Sequence, residues 1–155
     1  MPPLWLLVAT HGRFAEGIGE TLGLILGASQ PLEILNAYTT PDFDMAKAAK
    51  DYVSGLGEED ELIVAADVFG GSVANAFTEY TADGRVHVVT GLNLPLLIVL
   101  VSMLGSEFSS ETSSEIFLEE MIQNAIEEAK EGIVYVNKVI EETMQEEEDI
   151  IHNQK

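Results

Sequence analysis

Cysteine is absent from this 155-residue chain. That excludes a disulfide framework, a thiol nucleophile and cysteine-ligated zinc, and it fits a reducing compartment. Basic residues are scarce: seven Lys and Arg stand against 27 Asp and Glu, a formal net charge of −20. Such a surface repels phosphate backbones and anionic lipid headgroups, which argues against nucleic-acid and membrane-surface binding and favours a basic protein partner. Long hydrophobic runs are missing as well. The longest, Leu94 to Leu104, is broken by Pro95 and Ser102 and falls short of the roughly 18 residues a membrane span needs. The apolar stretch near the N-terminus has no basic region ahead of it, so no signal peptide is expected. These absences together predict a soluble, cytoplasmic protein.

What is present fits one domain of ordinary size, able to bury a core without a metal or disulfide. Acidity is uneven. Residues 141–155 hold Glu141, Glu142, Glu146, Glu147, Glu148 and Asp149 against Lys155 alone, which leaves 21 acids and 6 bases elsewhere. This segment is expected to be a solvated, partly disordered tail beyond a folded domain of residues 1–140. Neither an internal repeat nor a linker is visible.

Short apolar runs at about 4–9 and 61–66 have the pattern of strands buried on both faces, and 32–37 and 85–90 are two further strand candidates. Between them the period becomes helical. Phe14, Ile18, Leu22, Ile25 and Leu26 form one helix, closed by Gly27. A second runs over Asp42–Leu56, and a third starts after Gly70-Gly71 with Ser72 as its expected N-cap. An apolar helix follows Gly91-Leu92-Asn93-Leu94-Pro95, and an amphipathic one runs over Ser113–Glu131. Ile133–Ile140 (IVYVNKVI) is expected to be a last strand. Alternation of buried strands with helices predicts an α/β fold, a three-layer α/β/α sandwich around a mostly parallel sheet. In such sheets ligands sit beyond the carboxyl ends of the strands. Three polar loops fall at such ends: Thr10-His11-Gly12, Asp67 to Ser72, and Gly91 to Asn93.

Of the three histidines, His87 lies inside a strand and His152 in the acidic tail. His11 stands where a buried strand meets a helix. A histidine that merely ends a strand indicates no chemistry, but a second strand ends in Asp67. If those strands are neighbours, the carboxylate can hold one ring nitrogen and leave the other free to attack. Gly70, Gly71 and Ser72 can present backbone N–H groups to an anion, although glycines with a serine are also common turn residues. The Lys of a P-loop is missing, so nucleotide binding is not indicated. No His/Asp pair has ligand spacing on one element, so neither a metal nor a cofactor is expected.

A nucleophilic histidine, an orienting carboxylate and a phosphate-sized nest suggest phosphoryl relay. The chain resembles the enzyme IIA domain of the mannose/fructose/sorbose family of the phosphoenolpyruvate-dependent sugar phosphotransferase system. The resemblance is carried by Val8-Ala9-Thr10-His11-Gly12, Ala15-Glu16-Gly17, Asp67-Val68-Phe69-Gly70-Gly71-Ser72 with Asn75-Ala76, and Gly91-Leu92-Asn93-Leu94-Pro95, over about residues 4–140. It implies a phosphotransferase with a phosphohistidine on His11, filled from the phosphocarrier HPr and emptied onto a histidine of a IIB component for sugar uptake. It also implies Asp67 as the histidine's partner, phosphoryl-binding roles for Thr10, Gly70, Gly71 and Ser72, and a cytoplasmic homodimer in which the C-terminal strand is exchanged. Two departures stand out. Val73 replaces the proline that usually follows the serine, and the acidic tail replaces the Ala/Pro-rich linker that joins a IIB domain in some members, so IIB is expected on a separate chain. Two other readings remain open at this point: the phosphocarrier subunit of dihydroxyacetone kinase, and a non-catalytic anion-binding α/β module.

Overall fold

Leu6, Leu7, Val8 and Ala9 are all buried, yet they serve two different cores. Successive side chains of a strand point to opposite faces, so Leu6 and Val8 pack on one side of the sheet and Leu7 and Ala9 on the other. An unbroken apolar run is therefore what a strand covered on both faces requires. In this computed structural model, which describes residues 3–105 and 114–154, the run is β1 (Leu4–His11). It is followed by α1 (Phe14–Leu26), β2 (Glu33–Ala37), α2 (Met45–Ser54), β3 (Glu61–Ala66), α3 (Ser72–Thr78), a 3-10 turn (Glu79–Asp83), β4 (Val86–Val89), α4 (Leu94–Gly105), α5 (Ser114–Glu131) and α6 (Val136–Asn153).

The four strands are parallel, in the order β2-β1-β3-β4. One core joins the sheet to α1, α4 and α5 through Ile18, Leu22, Leu97, Leu100 and Ile122. The other joins it to α2 and α3 through Met45, Ala49, Val73 and Phe77. The result is the expected three-layer α/β sandwich. Among the described residues no helix is long and apolar enough to cross a membrane.

Helix ends follow the turn chemistry. Gly27 closes α1 at φ 102°, a left-handed value that side chains rarely adopt, and its N–H donates to the Gly23 carbonyl. Helix α2 begins later than expected from Pro41-Asp42, because the Asp44 carboxylate accepts from the Lys47 N–H at 3.0 Å and caps it. Ser113, the expected start of α5, lies outside the described residues.

The C-terminal segment departs from expectation. Ile133–Ile140 is not a strand: 133–135 leave α5 without regular structure and Val136 opens α6, which crosses residue 140 and continues to Asn153. The β-branched run carries strand propensity, but Val136, Val139, Ile140, Thr143 and Met144 also fit a 3.6-residue period, and the following Glu, Gln and Met residues are strong helix formers. A strand also needs a neighbour to bond to, and among the described residues none adjoins this segment. The acidic tail is likewise helical as far as Asn153, and residues 141–154 are exposed. Strand exchange thus has no strand to start from in this conformation.

Candidate functional site

The order β2-β1-β3-β4 reverses direction between β1 and β3, since the chain steps from β1 to β2 on one side and then to β3 on the other. The two connections diverge there and leave a crevice at the carboxyl ends of these strands. His11 is the last residue of β1, and Asp67 follows the last residue of β3. The fold therefore brings together two side chains 56 positions apart.

The Asp67 carboxylate makes three hydrogen bonds. Its Oδ2 accepts from the His11 backbone N–H at 2.9 Å and lies 2.8 Å from His11 Nδ1, and its Oδ1 accepts from the Val68 N–H at 3.0 Å. Burial on its own would push this carboxyl up. The His11 backbone N–H, ring and charge outweigh it and hold the group below its ordinary value of 3.8. A carboxylate accepts and cannot donate, so Nδ1 carries a hydrogen and, in the neutral ring, Nε2 carries the lone pair.

Nε2 lies 3.2 Å from Ser72 Oγ. Ser72 is the first residue of α3, not its N-cap; extended Gly71 takes that place, and the serine hydroxyl is engaged with His11 instead. Gly71 packs so close that a Cβ there would come within 3.4 Å of His11 Cε1 and 3.2 Å of the Val68 carbonyl. Gly70, at φ 77°, makes the turn, and its carbonyl accepts from Asn75 Nδ2 at 3.1 Å. Val73, where a proline was expected, is wholly buried among the residues of the second core, so packing holds the start of α3.

Thr10 stands apart from this cluster. It is fully buried, and its Oγ1 accepts from the Ala15 N–H at 2.7 Å, which fastens α1 to the end of β1. In the third polar loop Asn93 caps α4 by accepting from the Leu96 N–H at 2.8 Å. The Gly91 N–H donates to the Asp67 carbonyl at 3.2 Å and braces the β3 end. His87 pairs with Glu61 at 3.3 Å, both half-buried, and His152 lies exposed on α6, so neither enters the site.

Sequence reading missed Tyr38. It follows β2 directly, stacks on His11 with ring centroids 5.5 Å apart and planes at 25°, and donates its hydroxyl to Ser72 Oγ at 2.8 Å. No local pattern pointed to it: only the pairing of β2 with β1 puts the loop after β2 beside His11. Asn36, at the end of β2, was missed for the same reason. Its Oδ1 accepts from the Glu16 N–H and its Nδ2 donates to the Glu16 carboxylate, at 3.2 and 2.9 Å.

Around this polar centre the surface is apolar. Phe69 is 88% exposed, and Val68 and Phe14 are each about half exposed. A groove of about 530 Å³ beside the β1 and β4 ends is lined by Phe14, Ile18, Leu92 and Leu94. Among the described residues no cluster of His, Cys, Asp or Glu has the arrangement of a metal site.

Residues 5–117 match the family described as "PTS system fructose IIA component". A curated relative, the PTS system fructose-specific EIIA component of Bacillus subtilis (strain 168), is 26% identical over 100 residues, 63% of this chain and 68% of its own length. Two solved structures are similar throughout. One, a protein of Klebsiella pneumoniae subsp. pneumoniae MGH 78578 assigned to the phosphoenolpyruvate-dependent sugar phosphotransferase system (PTS), is 33% identical with a TM-score of 0.78, over 90% of this chain and 95% of that one. The other, the PTS IIA protein associated with the fucose utilization operon from Streptococcus pneumoniae, is 27% identical with a TM-score of 0.64, over 90% and 97%. With the family match spanning both β1 and β3, and with them the histidine–carboxylate pair, this chain belongs to the fructose/mannose IIA component family of the sugar phosphotransferase system.

Proposed function

We propose that the chain carries a phosphoryl group on His11 Nε2, receiving it from phospho-HPr and passing it to a histidine of a IIB component during sugar uptake in the cytoplasm. The observation that carries this reading is the 2.8 Å contact between His11 Nδ1 and Asp67, with Nε2 turned away toward Ser72 and the Gly70-Gly71 turn. In the transfer, the Nε2 lone pair forms a bond to phosphorus while the P–N bond of the donor histidine breaks and its electron pair returns to the donor ring. The imidazole of His11 becomes cationic, and Asp67 balances that charge without taking the proton. Phosphoryl transfer passes through a loose transition state, so alignment and charge placement are what a carrier contributes. The Ser72 hydroxyl and the first N–H groups of α3, which precede any i−4 carbonyl of that helix, hold the phosphoryl oxygens, with Gly70 and Gly71 keeping the approach open. Thr10 acts at one remove by fixing the β1–α1 turn. The exposed Phe69, Val68 and Phe14 form the rim on which HPr and IIB dock in turn.

Incubation with phosphoenolpyruvate, enzyme I and HPr, without nucleotide or added metal, should yield one acid-labile phosphoryl group per chain. His11→Ala should abolish it, whereas His87→Ala and His152→Ala keep it. Label persisting in His11→Ala would defeat the assignment, and a label that supports dihydroxyacetone phosphorylation but not sugar uptake would redirect it to dihydroxyacetone kinase.

The working form is a homodimer in this proposal. Among the described residues strand β4 pairs only with β3, leaving its outer edge without a strand partner there. A groove of about 480 Å³ beside that edge is lined by Val88, Glu119, Ile122 and Gln123. Ile133, Val134, Tyr135, Val136, Val139 and Ile140 are all exposed within one chain. A second copy placing its residues 133–140 over the β4 edge would cover both surfaces.

A further inference from the structure

Resting on the phosphoryl-carrier reading of this site, we infer that Tyr38 is a positioning residue that holds the His11 ring in line by its stack and directs the Ser72 hydroxyl toward His11 Nε2. Three independent features converge on it. Its backbone has φ 63°, the one non-glycine residue with positive φ among those described. A bulky side chain in this region is unfavourable and persists where the surroundings over-determine it, commonly at functional sites. The turn is held by the Gly12 N–H donating to the Ala37 carbonyl at 2.8 Å, immediately before Tyr38. Second, the ring this conformation projects lies between the stacked His11 imidazole and the edge of Phe43, whose centroid is 5.3 Å away at 67°. Third, the phenol hydroxyl reaches Ser72 Oγ.

The direction of that last bond matters. A serine hydroxyl has one hydrogen and rotates freely, so by itself it can either donate to Nε2 or accept from it. Tyr38 donating to Ser72 Oγ occupies an acceptor position and leaves the serine hydrogen to point at Nε2. The chain then runs one way: Tyr38 O–H to Ser72 Oγ, Ser72 O–H to His11 Nε2, His11 Nδ1–H to Asp67 Oδ2. Both ends select the same neutral tautomer, with the lone pair on the outward nitrogen. At 3.2 Å the serine contact is long enough to be released, and its hydrogen can pass to an incoming phosphoryl oxygen while Tyr38 keeps the hydroxyl in place. The stack prevents the ring from rotating out of line meanwhile. Tyr38 touches no reacting atom. It acts by holding the groups that do.

Tyr38→Phe keeps the ring and removes the hydroxyl; Tyr38→Leu removes the stack as well. Nitrogen chemical shifts of His11 in the 15N-labelled protein at a pH where the ring is neutral read the tautomer and the hydrogen bond at Nε2, and phosphorylation by phospho-HPr reads the consequence. Wild type should show one tautomer with the hydrogen on Nδ1. Tyr38→Phe should shift the Nε2 resonance as the directed Ser72 hydrogen bond is lost, with Nδ1 keeping its hydrogen on Asp67, and slow phosphorylation by about three- to tenfold in kcat with KM for phospho-HPr little changed, the size of one hydrogen bond. Tyr38→Leu should lose more, and thermal melting of Tyr38→Phe should match wild type. Wild-type nitrogen shifts in both variants would overturn the inference, as would a loss confined to KM. Should wild type itself accept no label, the carrier reading falls, while the nitrogen shifts still decide whether Tyr38 orients His11.

Discussion

Asp67 places three hydrogen bonds on two oxygens, and each favours the charged carboxylate. Because these contacts hold its folded value below the ordinary 3.8 despite the burial that opposes them, the group adds stability that is whole above about pH 4 and is lost as pH falls through the lower, folded value. An Asp67→Asn protein lacks this group, so its stability should fall less steeply below pH 4 than that of wild type; urea midpoints measured from pH 2.5 to 7 check the sign. The same change should preserve the fold yet slow phosphorylation roughly tenfold or more, because an amide supports the developing imidazolium charge poorly. A wild-type transfer rate in that variant would reduce Asp67 to a structural residue. Ser72→Ala should slow transfer less, since the backbone donors of α3 remain.

At the scale of elements, the β3–α3 connection works by close approach. Gly71 has ordinary extended dihedrals, so alanine is not strained there by its backbone; the conflict is spatial, with the Val68 carbonyl and His11 Cε1. Gly71→Ala should therefore leave the melting temperature within a few degrees, costing about 1 kcal/mol, while displacing the imidazole and slowing phosphorylation severalfold. Rapid-quench labelling beside a thermal melt separates the two effects. The opposite split is expected further along α3. Phe77 is fully buried against the sheet in the α2–α3 core, far along the helix from Ser72, so Phe77→Ala should cost about 3–5 kcal/mol in denaturant unfolding. Its transfer rate should stay near wild type wherever the protein remains folded.

For the whole molecule, charge and the uncovered surfaces set behaviour. A net charge of −20 steers a basic partner, so under the proposed carrier role, with a basic docking face on HPr, association should slow by about tenfold between low and 0.5 M salt, measured by stopped flow, while the transfer step within the complex changes little. Sedimentation at micromolar concentration should show a dimer for the intact chain. Removal of residues 132–155 should give monomer or aggregate, because it strips away the segment proposed to cover the β4 edge. A dispersed monomer of the intact chain would contradict the dimer.

The layered, parallel architecture and the histidine–carboxylate pair were both legible in the residues, for a physical reason. A strand buried on both faces has to be an unbroken apolar run, as in Leu4–Ala9 and Leu62–Ala66, and the polar residue ending such a run has to emerge at the carboxyl edge of the sheet. Position along the chain thus revealed His11 and Asp67 before any distance was known. Tyr38 follows an equally readable strand, but its importance depends on β2 lying next to β1 and on a left-handed backbone, and neither is written in a local pattern. Thr10 looked like a binding residue because it precedes His11; alternation along β1 turns it inward instead. Residues 133–140 mislead for the opposite reason. Their β-branched side chains fit a strand and their spacing fits a helix equally well, and local propensity cannot choose between them. The strong helix formers that follow and, among the described residues, the lack of an adjoining strand decided for α6, a matter of the segment's neighbours in sequence and in space.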